Sequence, residues 1–258
     1  MDKVHPLSSP MVIRSLDVKN DPFRPCEKYE ELLGSEVPYL SAIGALIYLA
    51  NCTRPDIAFS VNLLARYSSA PTRRHWNGIK HILCYLRGTT NMSLFYSRES
   101  KQQLAGYADA GYFSDPHKGR SQTWYAFNCN GTAISWRSVK QTMVATSSNH
   151  SEIPAIHEAS RECDSTILFE DNVACITQII GGYIQRDRTK YISPKFFYTH
   201  ELQKSGEIDV QQMRSSDNLA YLFTKSLSTS TFKKLIHMIE MRQLKNIDMR
   251  GSMLVKGC

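Results

Sequence analysis

Hydrophobic and polar positions along the chain change their spacing near residue 100, from a helical period to the alternation typical of strands. The proline-rich residues 1–35 are predicted to be extended. Proline and glycine then delimit three predicted helices, one that follows Pro38, one over residues 55–67 and one over residues 71–86. The third helix has an apolar stripe at helical spacing that we expect to be buried: Ile79, Ile82, Leu83 and Leu86.

After residue 103 the pattern predicts strands at 104–109, 124–128 and 132–136, and the Asn130-Gly131 pair between the last two is a strong hairpin signal. The predicted order from there is βββαβααβα. Its later elements are a helix at 151–163, a strand at 166–170, helices at 172–181 and 194–204, a strand at 207–213 and a helix at 217–225. Helices on both faces let strands lie parallel. We therefore expect an α/β fold over residues 101–246, a smaller and mostly helical segment over 1–100, and a tail over 247–258.

Composition narrows the class of protein only slightly. Lys and Arg exceed Asp and Glu by seven (31 against 24), and the isoelectric point is about 9.0. This excess is compatible with polyanion binding and equally with a solubility feature. The seven cysteines include no CxxC pair, which favours free thiols in a reducing compartment. No secretory signal and no apolar run of membrane-spanning length is recognised, so we expect an intracellular protein, in the cytoplasm or the nucleus, with no membrane association.

Three acidic residues stand at predicted element ends: Asp109 after an apolar run, Glu152 at the opening of a helix and Asp171 after a strand. The predicted helix and the returning strand between Glu152 and Asp171 each cover roughly 16 Å, so the two carboxylates would return to one end of the fold. Magnesium prefers oxygen ligands of this kind. Taken singly, each acid is equally explained as a helix cap or a solvated charge.

Several short runs, taken together and in this order, resemble the ribonuclease H domain of copia-type LTR-retrotransposon Pol polyproteins. They are residues 106–109 (GYAD), 119–123 (GRSQT), 133–141 (AISWRSVKQ), 170–172 (EDN), 187–190 (DRTK) and 219–225 (LAYLFTK). Upstream, residues 53–58 (TRPDIA), 75–76 (HW) and 86–89 (LRGT) are similar to the segment that joins reverse transcriptase to that domain. The paired-aspartate signature of a polymerase palm is absent from the sequence, so we expect no polymerase activity.

The resemblance implies a ribonuclease-H-like mixed five-stranded sheet flanked by helices, which hydrolyses the RNA of RNA–DNA hybrids with two magnesium ions. Asp109, Glu152 and Asp171 match three of the four metal-binding and catalytic carboxylates of the family, and Tyr221 stands at the fourth position. A phenol is neutral at pH 7 and supplies one weak oxygen ligand. Asp217, four residues before Tyr221, is a candidate to replace the missing fourth carboxylate. An N-cap of the following helix is the stronger interpretation of this residue.

Basic and hydroxyl residues near the expected groove are candidates for binding nucleic acid, either an RNA–DNA hybrid or another form. They are Arg120, Ser121, Arg186, Arg188, Lys190 and Lys195. A solvated loop explains the run from Arg186 to Lys190 equally well. No partner protein is inferred.

Further departures from the family pattern fall near the candidate site. The connection between residues 163 and 166 is short, Trp124 replaces a small residue, and Pro154 is compatible with a straight helix only if that helix begins near Ser151. We therefore expect a retrotransposon-derived ribonuclease H-like protein with impaired hydrolysis. The alternative is a noncatalytic nucleic-acid-binding or effector-like remnant.

Another open question concerns the first turn of the third predicted helix. Arg73, Arg74 and His75 lie there, where cations oppose the helix dipole. They are explained either by contact with phosphates or, more simply, by solvent exposure.

Overall fold

A computed structural model describes residues 5–14, 17–97, 104–162, 166–183, 193–224 and 226–244. Its helices are α1 (Tyr39–Cys52), α2 (Ala58–Ala65), α3 (Arg73–Gly88), α4 (Ser148–Ser160), α5 (Val173–Gly181), α6 (Ser193–Ser205), α7 (Tyr221–Thr224) and α8 (Thr229–Met238). Its strands are β1 (Met92–Leu94), β2 (Leu104–Asp115), β3 (Arg120–Cys129), β4 (Thr132–Lys140), β5 (Thr166–Glu170), β6 (Ile208–Gln212) and β7 (Met241–Gln243). Short 3₁₀ turns lie at Pro55–Ile57 and Ser215–Asp217.

The chain divides by its contacts into two compact units. The helical unit contains the chain up to residue 100, residues 130–132 and the segment from residue 226 onward, and the sheet unit contains residues 101–129 and 133–225. The sequence-based division placed residues 226–246 with the second domain. In the structure, Phe232 of α8 meets Tyr85 of α3 edge to face, and β7 pairs with β1, so this segment groups with the helices. The assignment of independent domains stays a prediction, and the expected tail at 247–258 lies outside the described residues.

Helix α3 carries much of the core of the helical unit. Ile79 and Ile82 are fully buried as expected, whereas Leu83 and Leu86 are only partly buried. The buried stripe is completed by Cys84 and Tyr85, so the expectation for the two leucines was wrong. The buried face is therefore rotated slightly from the one that the aliphatic residues alone predict.

His75 in the first turn of α3 has neither of the roles expected for it, because its ring is buried. The backbone N–H of Thr72 donates to Nδ1 at 3.0 Å, and Nε2 donates to the carbonyl of Arg24 at 3.1 Å. The ring also stacks on Tyr67 with centroids 4.1 Å apart. Arg74 forms an ion pair with Glu30. The first turn is thus a capping and packing feature of the fold.

The sheet unit contains the expected mixed sheet of five strands, in the order β4-β3-β2-β5-β6. Strand β2 runs antiparallel to β3 and parallel to β5, and β5 runs parallel to β6. The Asn130–Gly131 turn joins β3 to β4 with positive φ at both residues, as a tight hairpin requires. The buried faces of α4, α5 and α6, represented by Ile153, Ile179 and Phe196, pack into one core with the sheet.

Three predicted boundaries in the sheet unit were wrong in ways that affect the site. Strand β2 continues past Asp109, because its pairing with β3 extends through Gly111. The predicted helix at 217–225 is a 3₁₀ turn followed by the single helical turn α7. Helix α4 begins at Ser148, capped by the Ser147 hydroxyl, and continues through Pro154, where the carbonyl of the preceding turn loses a backbone donor.

Candidate active site

The three predicted carboxylates and the tyrosine at the fourth position line one cavity of about 410 Å³ in the sheet unit. Asp109 lies within β2, Glu152 in the second turn of α4, Asp171 directly after β5, and Tyr221 at the start of α7. The other residues that line it are Ala110, Tyr112, Ser148 and Asn172. The expectation that helix α4 and strand β5 return Glu152 and Asp171 to one end of the fold therefore agrees with their positions.

Asp109 is buried in the middle of the sheet, where it faces Trp124 across the β2–β3 pair. The Thr224 hydroxyl at the end of α7 donates a hydrogen bond to Oδ2 of Asp109 at 2.5 Å. A charged acceptor strengthens such a bond and shortens it. One oxygen of the central carboxylate is thus held by a residue that the sequence gave no reason to assign.

Asp171 accepts hydrogen bonds from the same segment of chain. The Tyr221 hydroxyl donates to its Oδ2 at 2.7 Å, and the Ser215 hydroxyl donates to the same oxygen. The Asn218 amide reaches the other oxygen, Oδ1, at 3.5 Å and donates to the carbonyl of Ala108 at 3.0 Å. Burial raises the pKa of Tyr221, and its hydrogen bond to Asp171 acts in the same direction. The phenol therefore remains a protonated donor.

Glu152 is buried, and among the described residues its Oε2 has no hydrogen-bond partner. Burial raises its pKa well above the usual range, and the charges of Glu170, Asp109 and Asp171 raise it further. An unpaired carboxylate oxygen in such a place is costly for the fold unless the group is protonated or meets a cation.

Glu170 is a further acid near the site, to which sequence reasoning assigned no role, and it is fully buried. Its Oε1 accepts the backbone N–H groups of Asp171 and Asn172, and its Oε2 has no hydrogen-bond partner in the part of the chain that the structure describes. Burial raises its pKa, and the Asp109 charge adds to the effect. The alternation of β5 was the available signal, since Leu168 and Glu170 share its inward face.

Helix α7 is fixed to the sheet by an aromatic stack. Phe223 lies parallel to Trp124 with centroids 3.7 Å apart, and both side chains are fully buried. The Ser138 hydroxyl donates to the Phe223 carbonyl at 3.2 Å. Trp124, which the sequence marked only as a departure from the family pattern, therefore holds the helical turn that carries Tyr221 and Thr224.

The carboxylate oxygens of this site are ligands of the type that divalent cations prefer, but they are not arranged to hold one ion. Among the described residues, no three His, Cys, Asp or Glu side chains are grouped so as to hold one metal ion. The hydrogen bonds explain part of this, since hydroxyls from residues 215–224 occupy oxygens of both Asp109 and Asp171. The catalytic and metal-binding roles of these residues stay predictions.

The predicted nucleic-acid contacts lie in several different environments. Arg120 begins β3 and is half-buried, Ser121 is buried and its hydroxyl accepts the Phe113 N–H at 3.2 Å, and Lys195 forms an ion pair of 2.7 Å with Glu158. Arg186, Arg188 and Lys190 lie outside the described residues. All six assignments stay predictions.

Asp217, the proposed substitute for the missing carboxylate, lies in the 3₁₀ turn before α7 and does not line the cavity. Ser215 of this turn and Asn218 directly after it are the neighbours whose side chains reach Asp171. Compensation by Asp217 therefore gains no support from its position. None of the helices within the described ranges combines the length and the apolar character needed to cross a membrane.

Comparison with known proteins identifies relatives of this chain, although no family model matches it. It is 44% identical over 126 residues to secreted RxLR effector protein 161 of Plasmopara viticola, an alignment that covers 49% of this chain and 89% of that protein. It is 32% identical over 213 residues to the retrovirus-related Pol polyprotein of transposon TNT 1-94 from Nicotiana tabacum, covering 77% of this chain and 16% of the polyprotein.

Among solved structures, ribonuclease H1 of Halobacterium salinarum aligns with 14% identity and a TM-score of 0.36, over 46% of this chain and 90% of that one. The chain belongs to the family of retrovirus-related Pol polyproteins from copia-type transposons, and its sheet unit has the mixed five-stranded sheet that the sequence resemblance implies. It corresponds to less than a fifth of the length of the tobacco polyprotein.

Proposed function

We propose that this chain is a retrotransposon-derived nucleic-acid-binding protein that is, by descent, a metal-dependent endonuclease for RNA–DNA hybrids, with hydrolysis impaired at Tyr221. The observation that carries the proposal is the convergence of Asp109, Glu152 and Asp171 on one open cavity in a ribonuclease H-like sheet. We further propose that it acts inside the cell, in the cytoplasm or the nucleus.

The fit of a magnesium ion rests on two features. The donors are carboxylate oxygens, which hard cations prefer, and Glu152 presents a buried Oε2 to which no described residue donates a hydrogen bond. Asp109, Glu152 and Asp171 would hold the ion. A bound divalent ion would supply charge neutralisation and Lewis-acid polarisation of the phosphodiester.

The proposed impairment follows from what the chain's own hydroxyls do. Tyr221 donates to Asp171, and Thr224 donates to Asp109, so oxygens that would face a cation are already bonded. Tyr221 also brings a neutral ring where the family has a carboxylate. An ion that binds must compete with these hydroxyls for the carboxylate oxygens. It also has one anionic ligand fewer than in a site with four carboxylates.

The alternative function is a noncatalytic one, in which the nucleic-acid-binding surface or an effector-like role is retained without the chemistry. The specific observation in its favour is that the hydroxyls of Ser215, Tyr221 and Thr224 donate hydrogen bonds to carboxylate oxygens that a cation would otherwise contact. The similarity to a relative named as a secreted effector is a second reason to test it.

The test compares the parent chain with Asp109→Asn, using a fluorescently labelled RNA–DNA hybrid. Binding is measured by anisotropy in EDTA, and cleavage of the RNA strand is followed on gels in magnesium. We expect both proteins to bind, and only the parent to cleave, slowly. Binding without cleavage by either protein supports the noncatalytic alternative. Absence of binding by the folded parent contradicts the proposed function.

A further inference from the structure

Two neighbouring aromatic residues project from strand β2 close to the carboxylates. The register of the β2–β3 pair shifts between Gly111 and Asp115, and Tyr112 and Phe113 lie within that shift. Their side chains are 39% and 43% exposed, and their ring centroids lie 6.1 Å apart. Irregularities of this kind beside an active site commonly redirect side chains. Here the irregularity places two large rings in solvent.

The backbone at Phe113 is held in a conformation that a phenylalanine rarely adopts. Its φ angle is +55°, in the left-handed region that glycine and asparagine tolerate better. Its N–H donates to the buried Ser121 hydroxyl at 3.2 Å, which fixes this conformation. Strain that persists in a bulky, exposed residue contributes nothing to the core, and such outliers cluster at binding sites.

The position of the pair relative to the cavity indicates what the rings contact. Tyr112 lines the same cavity as Asp109, Glu152 and Asp171, and it follows Asp109 by three residues on one strand. The turn that leads from Phe113 into β3 carries the exposed Lys118. Aromatic side chains beside cationic groups form a combination with which proteins hold a nucleic-acid strand.

We propose that Tyr112 and Phe113 form a platform against which a nucleic-acid strand packs the sugar and base of a nucleotide beside the carboxylate cavity. This rests on the proposed function, since it names the surface on which the hybrid is held. A hybrid displays sugars and base edges in a wide, shallow minor groove at every position, so the contact is tolerant of sequence. The platform positions the strand and takes no part in the chemistry.

The first experiment tests whether the ring of Tyr112, rather than its hydroxyl group or an electrostatic contact, contributes to binding of the hybrid. Tyr112→Phe, Tyr112→Leu and Tyr112→Ala are compared for binding of a labelled RNA–DNA hybrid in EDTA, over a range of salt concentrations. We expect Tyr112→Phe to bind like the parent, and Tyr112→Ala to bind about fivefold more weakly or worse, with Tyr112→Leu between them. The dependence of affinity on salt should not change, because no phosphate contact is lost. Tyr29→Ala, at a tyrosine that is 93% exposed in the helical unit, is the matched control and should bind like the parent.

The second experiment uses the strained backbone. Phe113→Gly removes the ring and relieves the positive φ, so it should raise the melting temperature by about 2–4 °C while it weakens binding of the hybrid. A merely structural role predicts that stability and binding change together. If the parent binds the hybrid and Tyr112→Ala and Phe113→Gly bind equally well, the platform is refuted. If the parent itself does not bind, the proposed function fails before the platform is tested, and the platform falls with it.

Discussion

Replacing Tyr221 with aspartate tests whether this residue stands at the fourth corner of a metal site. The variant loses the 2.7 Å hydrogen bond to Asp171, a bond to a charged group that contributes about 1.5–3 kcal/mol. It also brings a second negative charge close to Asp171, which costs roughly 1–4 kcal/mol at about 4 Å for effective dielectric constants between 80 and 20. Without a cation, the free energy of unfolding should therefore fall by several kcal/mol.

Magnesium should reverse part of this loss. For a dissociation constant on the order of 1 mM, about 10 mM magnesium stabilises the folded state by roughly 1.4 kcal/mol, which raises the melting temperature by about 3–6 °C. Tyr221→Phe is the matched control, since it removes the same donor and adds no ligand. It should be destabilised less in EDTA and gain less from magnesium.

Activity provides the second measurement on the same protein. Cleavage of the RNA strand of a hybrid should be faster for Tyr221→Asp than for the parent, and Asp109→Asn added to it should abolish the gain. If the folded Tyr221→Asp protein gains no more stability from magnesium than Tyr221→Phe and cleaves no faster than the parent, residue 221 does not occupy a ligand position.

Three further predictions concern packing, pH and salt. Ile82→Ala should lower the free energy of unfolding by about 2–5 kcal/mol because the side chain is fully buried, whereas Leu83→Ala should lower it clearly less. Equal losses in urea titrations would contradict the burial seen in α3. Burial lowers the pKa of His75 to about 4 in the folded state, so its contribution to stability is complete above the unfolded pKa near 6.5 and is lost as pH falls toward 4. Between pH 7 and pH 5 the free energy of unfolding of the parent should fall by about 2 kcal/mol more than that of His75→Gln, whose side chain can cap the helix but does not titrate. Parallel pH profiles of the two proteins would contradict this prediction. Arg188→Ala with Lys190→Ala should flatten the salt dependence of hybrid binding by about one logarithmic unit per lost phosphate contact, and an unchanged slope would remove these residues from the interface.

The sequence was most informative where local chemistry decides the structure. Alternation and turn residues predicted the sequence of strands and helices along the sheet unit, and the Asn130-Gly131 pair predicted its hairpin. The convergence of Glu152 and Asp171 followed from element lengths alone. These features depend on neighbours in sequence, and so a single sequence contains them.

The rest of the site depends on contacts between distant residues. Thr224 meets Asp109 across 115 positions, and Ser215 meets Asp171 across 44, and no periodicity reports such pairs. The start of α4 was misplaced because the Ser147 side chain caps the helix at an earlier position than Pro154 predicts.

The hydroxyl donors on residues 215–224 affect how far the stability of the sheet unit depends on a bound ion. In a cluster of acids that relies on a bound ion, removal of the ion leaves unrelieved repulsion, and the fold suffers when a chelator is added. Here Tyr221 and Thr224 relieve part of that repulsion with protons that belong to the protein itself. The sheet unit therefore depends less on a bound ion for its shape, and its surface is available for a role that needs no metal.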